Sequence, residues 1–188
     1  MADTVYIKEP PYNAGDPDPG PPPTLEMVAQ WESENGRLPD DFKAFITRYK
    51  GGTVFPMLFE HNTEDPTDDF IFAEDEEAVD SIFHWSDFSA KNTVDNVSSL
   101  REFGLLAFAH DTTGSSLCLS ISDDDFGAVK WFWRNMDNWE DVSDEPMPIG
   151  TVADSFRAFI FEALFDDGDG GPRWRIPDDL VSAKRVEF

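Results

Sequence analysis

The chain of 188 residues contains one cysteine, three histidines and only fourteen lysines and arginines. One cysteine excludes an internal disulfide framework and a cysteine-rich zinc site. His61, His84 and His110 lie far apart and never at the His-x-x-x-His spacing of a helical zinc motif. No apolar run approaches the ~18–20 residues that span a bilayer. The opening MADTVYIKEPPYNAG lacks the basic flank and apolar stretch of a secretion signal. These absences make a reducing cytoplasm the expected location and a membrane partner unexpected. The scarcity of basic residues leaves no positive stripe for nucleic acid.

Acid is abundant instead. Thirty-nine aspartates and glutamates give a net charge of −25. Over a folded surface of roughly 9,000 Å² this is one net negative charge per about 360 Å². One partner's share of a standard interface, about 800 Å², would hold about two of them. Such a field repels nucleic acid and anionic membranes and draws basic partners in. Charge of this kind also serves solubility or a salt-rich cytoplasm, so it does not define a function alone. With 40% hydrophobic and 14% aromatic residues, seventeen of them Phe, the chain can build one proper core.

Along the chain, residues 1–23 hold half of the fourteen prolines. PPYNAGDPDPGPPP excludes helix and central strand, because proline fixes φ and lacks the amide donor. Residues 1–23 are therefore expected to be an extended arm. From Thr24 the pattern turns helical. Thr24 can cap a helix with Leu25, Val28 and Trp31 on one face, ending near Asn35-Gly36. Pro39 suits a second first turn, with Asp40 and Asp41 at its positive end. Phe42, Phe45, Ile46 and Tyr49 form its apolar stripe, and Gly51-Gly52 stops it.

The middle favours strands: 53–59, 69–73, 100–110, 115–122 and 128–134, with 73–85 ambiguous between helix and strand. Leu117, Leu119 and Ile121 alternate with Ser116, Cys118 and Ser120; Val129, Trp131 and Trp133 alternate with Lys130, Phe132 and Arg134. The last three of these strands, joined by tight polar turns, predict an antiparallel meander. A closing helix is expected, capped by Thr151 or Asp154, with Phe156, Phe159, Ile160, Ala163 and Leu164 buried. The fold class is α+β: a central antiparallel or mixed sheet, with N-terminal helices and one C-terminal helix packed on it. The expected units are the arm 1–23, a domain 24–165 and an extension 166–188.

The stretch HDTTGSSLC, residues 110–118, gathers most of the candidate chemistry. It resembles the Asp-Thr-Gly of an aspartic protease, but an extra threonine precedes Gly114 and no second such loop exists. A nucleophile at Ser115, Ser116 or Cys118 would need His110 within hydrogen-bond reach and a third group to orient it, which neighbours across a tight turn rarely provide. The expectation is a hairpin turn at Gly114, with Asp111 satisfying its backbone. DDGDGG at 166–171 is a poor calcium loop. Counted from Asp167, position 5 is Gly171, the turn position is Pro172 and position 12 is Asp178. No cofactor and no metal are expected.

The acids cluster in EDPTDD, EDEE, SDDD and EDVSDE, beginning at residues 64, 74, 122 and 140. If these turns converge, they form a rim for a basic protein partner. Its expected contacts are Asp68, Asp69, Glu74, Asp75, Glu76, Glu77, Asp123, Asp124 and Asp125, with Phe132 and Trp139 as exposed aromatic anchors.

The order of these motifs resembles the SUKH superfamily. LEMVAQWESENGRLPDDFKAFITRYKGG (25–52) is similar to its opening pair of helices with a Leu-Pro-acid-acid-aromatic junction and a double glycine. LLAFAHDTTGSSLCLSI (105–121), GAVKWFWRN (127–135) and VADSFRAFIFEAL (152–164) resemble its later strands and closing helix. The resemblance covers about residues 24–165 and leaves out the arm and the extension. It implies an α+β fold without catalytic residues. It further implies a role as an immunity protein against a toxin, often a nuclease, or as a regulator of assembly, with viral relatives among the members. The expectation is a non-enzymatic protein that occludes a basic toxin. An interaction module, viral or otherwise, and an acidic decoy for DNA-binding enzymes are the alternatives.

Overall fold

In the computed structural model, which describes residues 4–10, 18–60, 76–96, 100–132, 149–165 and 183–187, Thr24 begins the first helix as its spacing predicts. Its hydroxyl oxygen accepts the Met27 N–H at 3.2 Å, supplying a partner that the first turn cannot. Helix α1 (Leu25–Asn35) buries Val28 and Trp31 and ends at Gly36, whose φ of 93° suits glycine. Helix α2 (Asp40–Ile46) buries Phe42, Phe45 and Ile46. Pro39 stands just before this helix and not in its first turn. The predicted stripe outlasts the helix: Tyr49 is still buried, in the turn that follows.

Two antiparallel sheets follow from here. The smaller has the order β2-β1-β9, from β1 (Tyr6–Lys8), β2 (Thr53–Phe55) and β9 (Lys184–Arg185). The larger runs β3-β4-β5-β6-β7-β8. Its strands are β3 (Leu58–Glu60), β4 (Glu76–Ile82), β5 (Leu105–Asp111), β6 (Ser116–Ser120), β7 (Val129–Phe132) and β8 (Ile149–Ala153). Gly51 and Gly52 are wedged between the two sheets. A Cβ on Gly52 would lie 2.2 Å from the Lys8 carbonyl oxygen, and one on Gly51 would lie 2.6 Å from that of Ile82. The double glycine therefore ends α2 and also lets β1 and β4 close in on either side.

Several elements differ from expectation. The run 53–59 is two strands in different sheets, divided at Pro56, which has no N–H for a ladder. The ambiguous segment resolves into β4, followed by a helix, α3 (Trp85–Lys91), that the sequence pattern did not reveal. His84 caps α3, its Nδ1 accepting the Ser86 N–H at 3.3 Å. Thr151 lies in β8, so neither it nor Asp154 caps the closing helix. Ser155 does, its Oγ accepting the Ala158 N–H at 3.0 Å. That helix, α4 (Phe156–Ala158), runs into a π-helical turn, Phe159–Ala163, and Phe156, Phe159 and Ile160 are buried as expected. The strand expected at 69–73 lies outside the described residues. Within the segment read as an arm, Tyr6–Lys8 is the middle strand of the smaller sheet, and Ile7 is fully buried.

Helices meet the sheet at Phe108 of β5. Its ring lies 6.0 Å from Phe42, 5.3 Å from Phe156 and 5.6 Å from Phe159, in the tilted and edge-on arrangements that aromatic quadrupoles favour. The described helices and sheets make an α+β fold, and every described strand pairing is antiparallel. Among the described residues, no helix is long and apolar enough to cross a membrane.

Candidate partner-binding surface

The turn between β5 and β6 is built around one carboxylate. Asp111 is 3% exposed. Its Oδ1 accepts the Thr113 N–H at 2.9 Å, the Thr113 hydroxyl at 2.8 Å and the Ser115 N–H at 2.8 Å. Its Oδ2 accepts the Trp131 indole N–H at 2.7 Å, which ties the turn to β7. With four donors converging on it, Asp111 satisfies the turn's backbone as the sequence suggests. His110 pairs across the ladder with Ser116, and its ring meets Phe83 edge-on at 4.7 Å. Cys118 pairs with Ala107, further along the ladder, and its thiol is completely buried. Desolvation pushes the Cys118 thiol pKa far up, so it stays protonated. His110 Nδ1 lies 3.4 Å from the Ser115 carbonyl oxygen. Among the described residues, no three His, Cys, Asp or Glu side chains gather as a metal site.

The predicted rim residues divide. Asp68, Asp69, Glu74, Asp75 and Trp139 lie outside the described residues, as does the 166–171 acid run. Glu76 and Glu77 belong to β4, opposite Glu60 and Phe59 of β3. Asp123 and Asp124 are exposed at the tip of the β6–β7 turn. Asp125 is used internally: it accepts a hydrogen bond from Ser120 and lies 2.7 Å from the Lys130 ammonium. Partial burial opposes its ionisation, but the bonds from Lys130 and Ser120 outweigh this and hold its pKa below the usual carboxylate value. Phe132 is 2% exposed, so it is not an exposed anchor. It stands between β6 and β8, and the ring of Phe103 covers it at 5.6 Å. Among the described residues, Phe103 is the exposed aromatic, at 45% exposure.

Phe103 ends a 3-10 turn, Leu100–Phe103, that joins three parts of the surface. Arg101 donates from Nη1 to the Asn92 carbonyl at 3.0 Å and from Nη2 to that of Asn35. These carbonyls close α3 and α1, where a helix dipole favours a cation. Burial lowers the Arg101 pKa from its ordinary value. The Val94 N–H bonds to Asn35 Oδ1 at 3.0 Å, fixing the loop after α3 against the end of α1. On the other side, the Ile121 N–H bonds to the Gly104 carbonyl at 2.8 Å. Beyond it, Arg37 lies over the Phe126 ring at 5.1 Å, so the β6–β7 turn also meets the α1–α2 loop. The 3-10 turn, the end of α1 and the β6–β7 turn thus form a closed triangle of contacts. Glu34, Asp95, Glu102, Asp123 and Asp124 are exposed around it. The apolar periodicity of 100–110 concealed Phe103, because it favours a strand and places every aromatic in the core. The charged pair Arg101-Glu102 just before it was the signal of a surface turn.

The chain has no match among curated proteins and none among solved structures. A family model described as the SMI1/KNR4 family (SUKH-1) matches residues 22–162. That match takes in both N-terminal helices, the meander, the 3-10 turn and the closing helix, well over half of the chain, and the protein belongs to the SMI1/KNR4 family (SUKH-1).

Proposed function

We propose that the chain is a non-enzymatic binding protein that neutralises a basic toxin domain, with nucleases the leading class, by covering its working surface. Family membership supports an immunity or interaction role. The observation that carries the finer reading is the exposed apolar and acidic surface around Phe103 in a chain of net charge −25. Enzymes that grip nucleic acid carry basic surfaces, and an acidic partner both steers toward them and blocks them. The action is steric and electrostatic, without turnover, in a cytoplasmic setting.

The test is to purify the chain with a basic toxin domain encoded beside its gene and to follow toxin activity and association rate against salt. Stoichiometric inhibition is expected, with an association rate that falls steeply as salt rises. Full toxin activity in the presence of excess protein would sink the proposal. An association rate indifferent to salt would remove the steering part.

A further inference from the structure

We infer that the partner docks on the surface centred on the 3-10 turn, with Phe103 and Val94 as apolar anchors inside a rim of Glu34, Asp95, Glu102, Asp123 and Asp124. The occupant is a protein segment that presents an apolar side chain flanked by lysine or arginine. This rests on the function proposed above and adds to it where contact is made and with what chemistry.

Among the described residues, exposed large apolar side chains occur here, at Leu25 and Met27, and at Ile149. Val94 is 59% and Phe103 45% exposed, although they are nine positions apart and belong to different elements. The Asn92–Arg101–Asn35 bonds and the Val94–Asn35 bond tie the segments that carry them to the same end of α1. Leu25 and Met27, also exposed, sit at the other end of α1, about 12–15 Å away by helical rise. An aromatic that is half in water, seated on a buried Phe132 and beside a fixed turn, loses little freedom on binding. That is the character of an interface anchor.

Charge decides the occupant. The five rim acids are exposed, while the nearby basic groups among the described residues are turned to other uses. Arg101 bonds helix-end carbonyls, Arg37 lies over Phe126 and Lys91 lies over Phe83 at 5.2 Å. A second copy of the chain would bring two acidic rims together, so a basic partner fits and a self-contact does not.

The probe is the toxin domain of the preceding experiment in a catalytically inactive form, titrated against wild type, Phe103→Ser, Val94→Ser and the pair Asp123→Lys/Asp124→Lys. Phe103→Ser is expected to weaken binding about 30-fold or more, the size of an interface hot spot. The lysine pair is expected to slow association about ten-fold at low salt. It lies on an exposed turn tip, so it remains informative should Phe103→Ser fail to fold in thermal melts. Wild-type binding with all variants within two-fold would overturn this surface and leave the proposed function standing. Absence of wild-type binding would remove both. Self-association of wild type that Phe103→Ser abolishes, seen by sedimentation, would make a second copy the occupant and also overturn the inference.

Discussion

Replacing Asp111 by alanine tests whether the β5–β6 turn is held by one carboxylate. The substitution removes an acceptor from four donors. Thr113 is exposed, so its amide and hydroxyl can turn to water. Ser115 is 0% and Trp131 1% exposed, so their N–H groups lose this acceptor where water cannot replace it. A buried donor without a partner costs about 1–3 kcal/mol, so two cost about 2–6, with about 4 kcal/mol as the central expectation. At this chain length, 1 kcal/mol moves the melting temperature by about 2–4 °C, so a drop of about 8–16 °C is expected. Asp111→Asn keeps an acceptor for the turn but sets an amide donor against the indole, and about 1–3 kcal/mol is expected. Urea unfolding followed by far-ultraviolet circular dichroism reads these changes independently of the tryptophans. The double variant Asp111→Ala/Trp131→Phe removes one of these donors, so its cost falls short of the sum by about 1–2 kcal/mol. A cost below about 1 kcal/mol for Asp111→Ala, or additivity within about 0.5 kcal/mol, would refute the role given to this side chain.

Cys118 is expected to resist thiol reagents in the native protein at neutral pH and to react fully in urea, since it is both buried and protonated. Stoichiometric native labelling would contradict the packing of β6. Asp125→Asn is expected to destabilise by at most about 1 kcal/mol at neutral pH, because the carboxylate is 37% exposed and its bond to Lys130 is screened. The folded pKa of Asp125 lies below the ordinary 3.8, so its contribution is complete above that value and is lost as pH falls through the folded value. Variant and wild type should therefore converge in urea stability at low pH, and a gap that persists there would show that the ion pair is not its source.

The two N-terminal helices were legible because local signals agreed: a cap at Thr24, acids at the start of α2, an apolar stripe and the double glycine. The β5–β6 hairpin was legible for the same reason, with Asp111 and Gly114 at a turn between alternating strands. Strands β1 and β9 were not. Three and two residues carry no period; β1 is a strand because β2 and β9 flank it, and β9 because β1 lies beside it. Helix α3 went unseen although Asp87 opens it and Lys91 closes it, because the strand-like run just before it extends the opposite pattern. Alternation also misled at Phe132. It separates two faces of a strand but does not say that one is wet, and here both are covered. The exposure of Phe103 was hidden for the converse reason: the pair Arg101-Glu102 signals a surface turn but does not say that Arg101 will be drawn to two helix ends.

The pairing of β1 with β9 has a mechanical consequence. The Val186 N–H bonds to the Val5 carbonyl at 2.8 Å, and Tyr6 stands opposite Arg185. The preceding side of β1 and the following side of β9 therefore leave the sheet at the same point. Tension applied through those two sides peels the ladder one hydrogen bond at a time and does not shear several together. The first event under load would be release of β9 and of the buried Val186, with the Glu9–Lys184 and Arg48–Glu187 ion pairs parting beside it. The 3-10 turn that carries Phe103 makes none of these contacts, so a tethered molecule can lose β9 while that surface stays assembled.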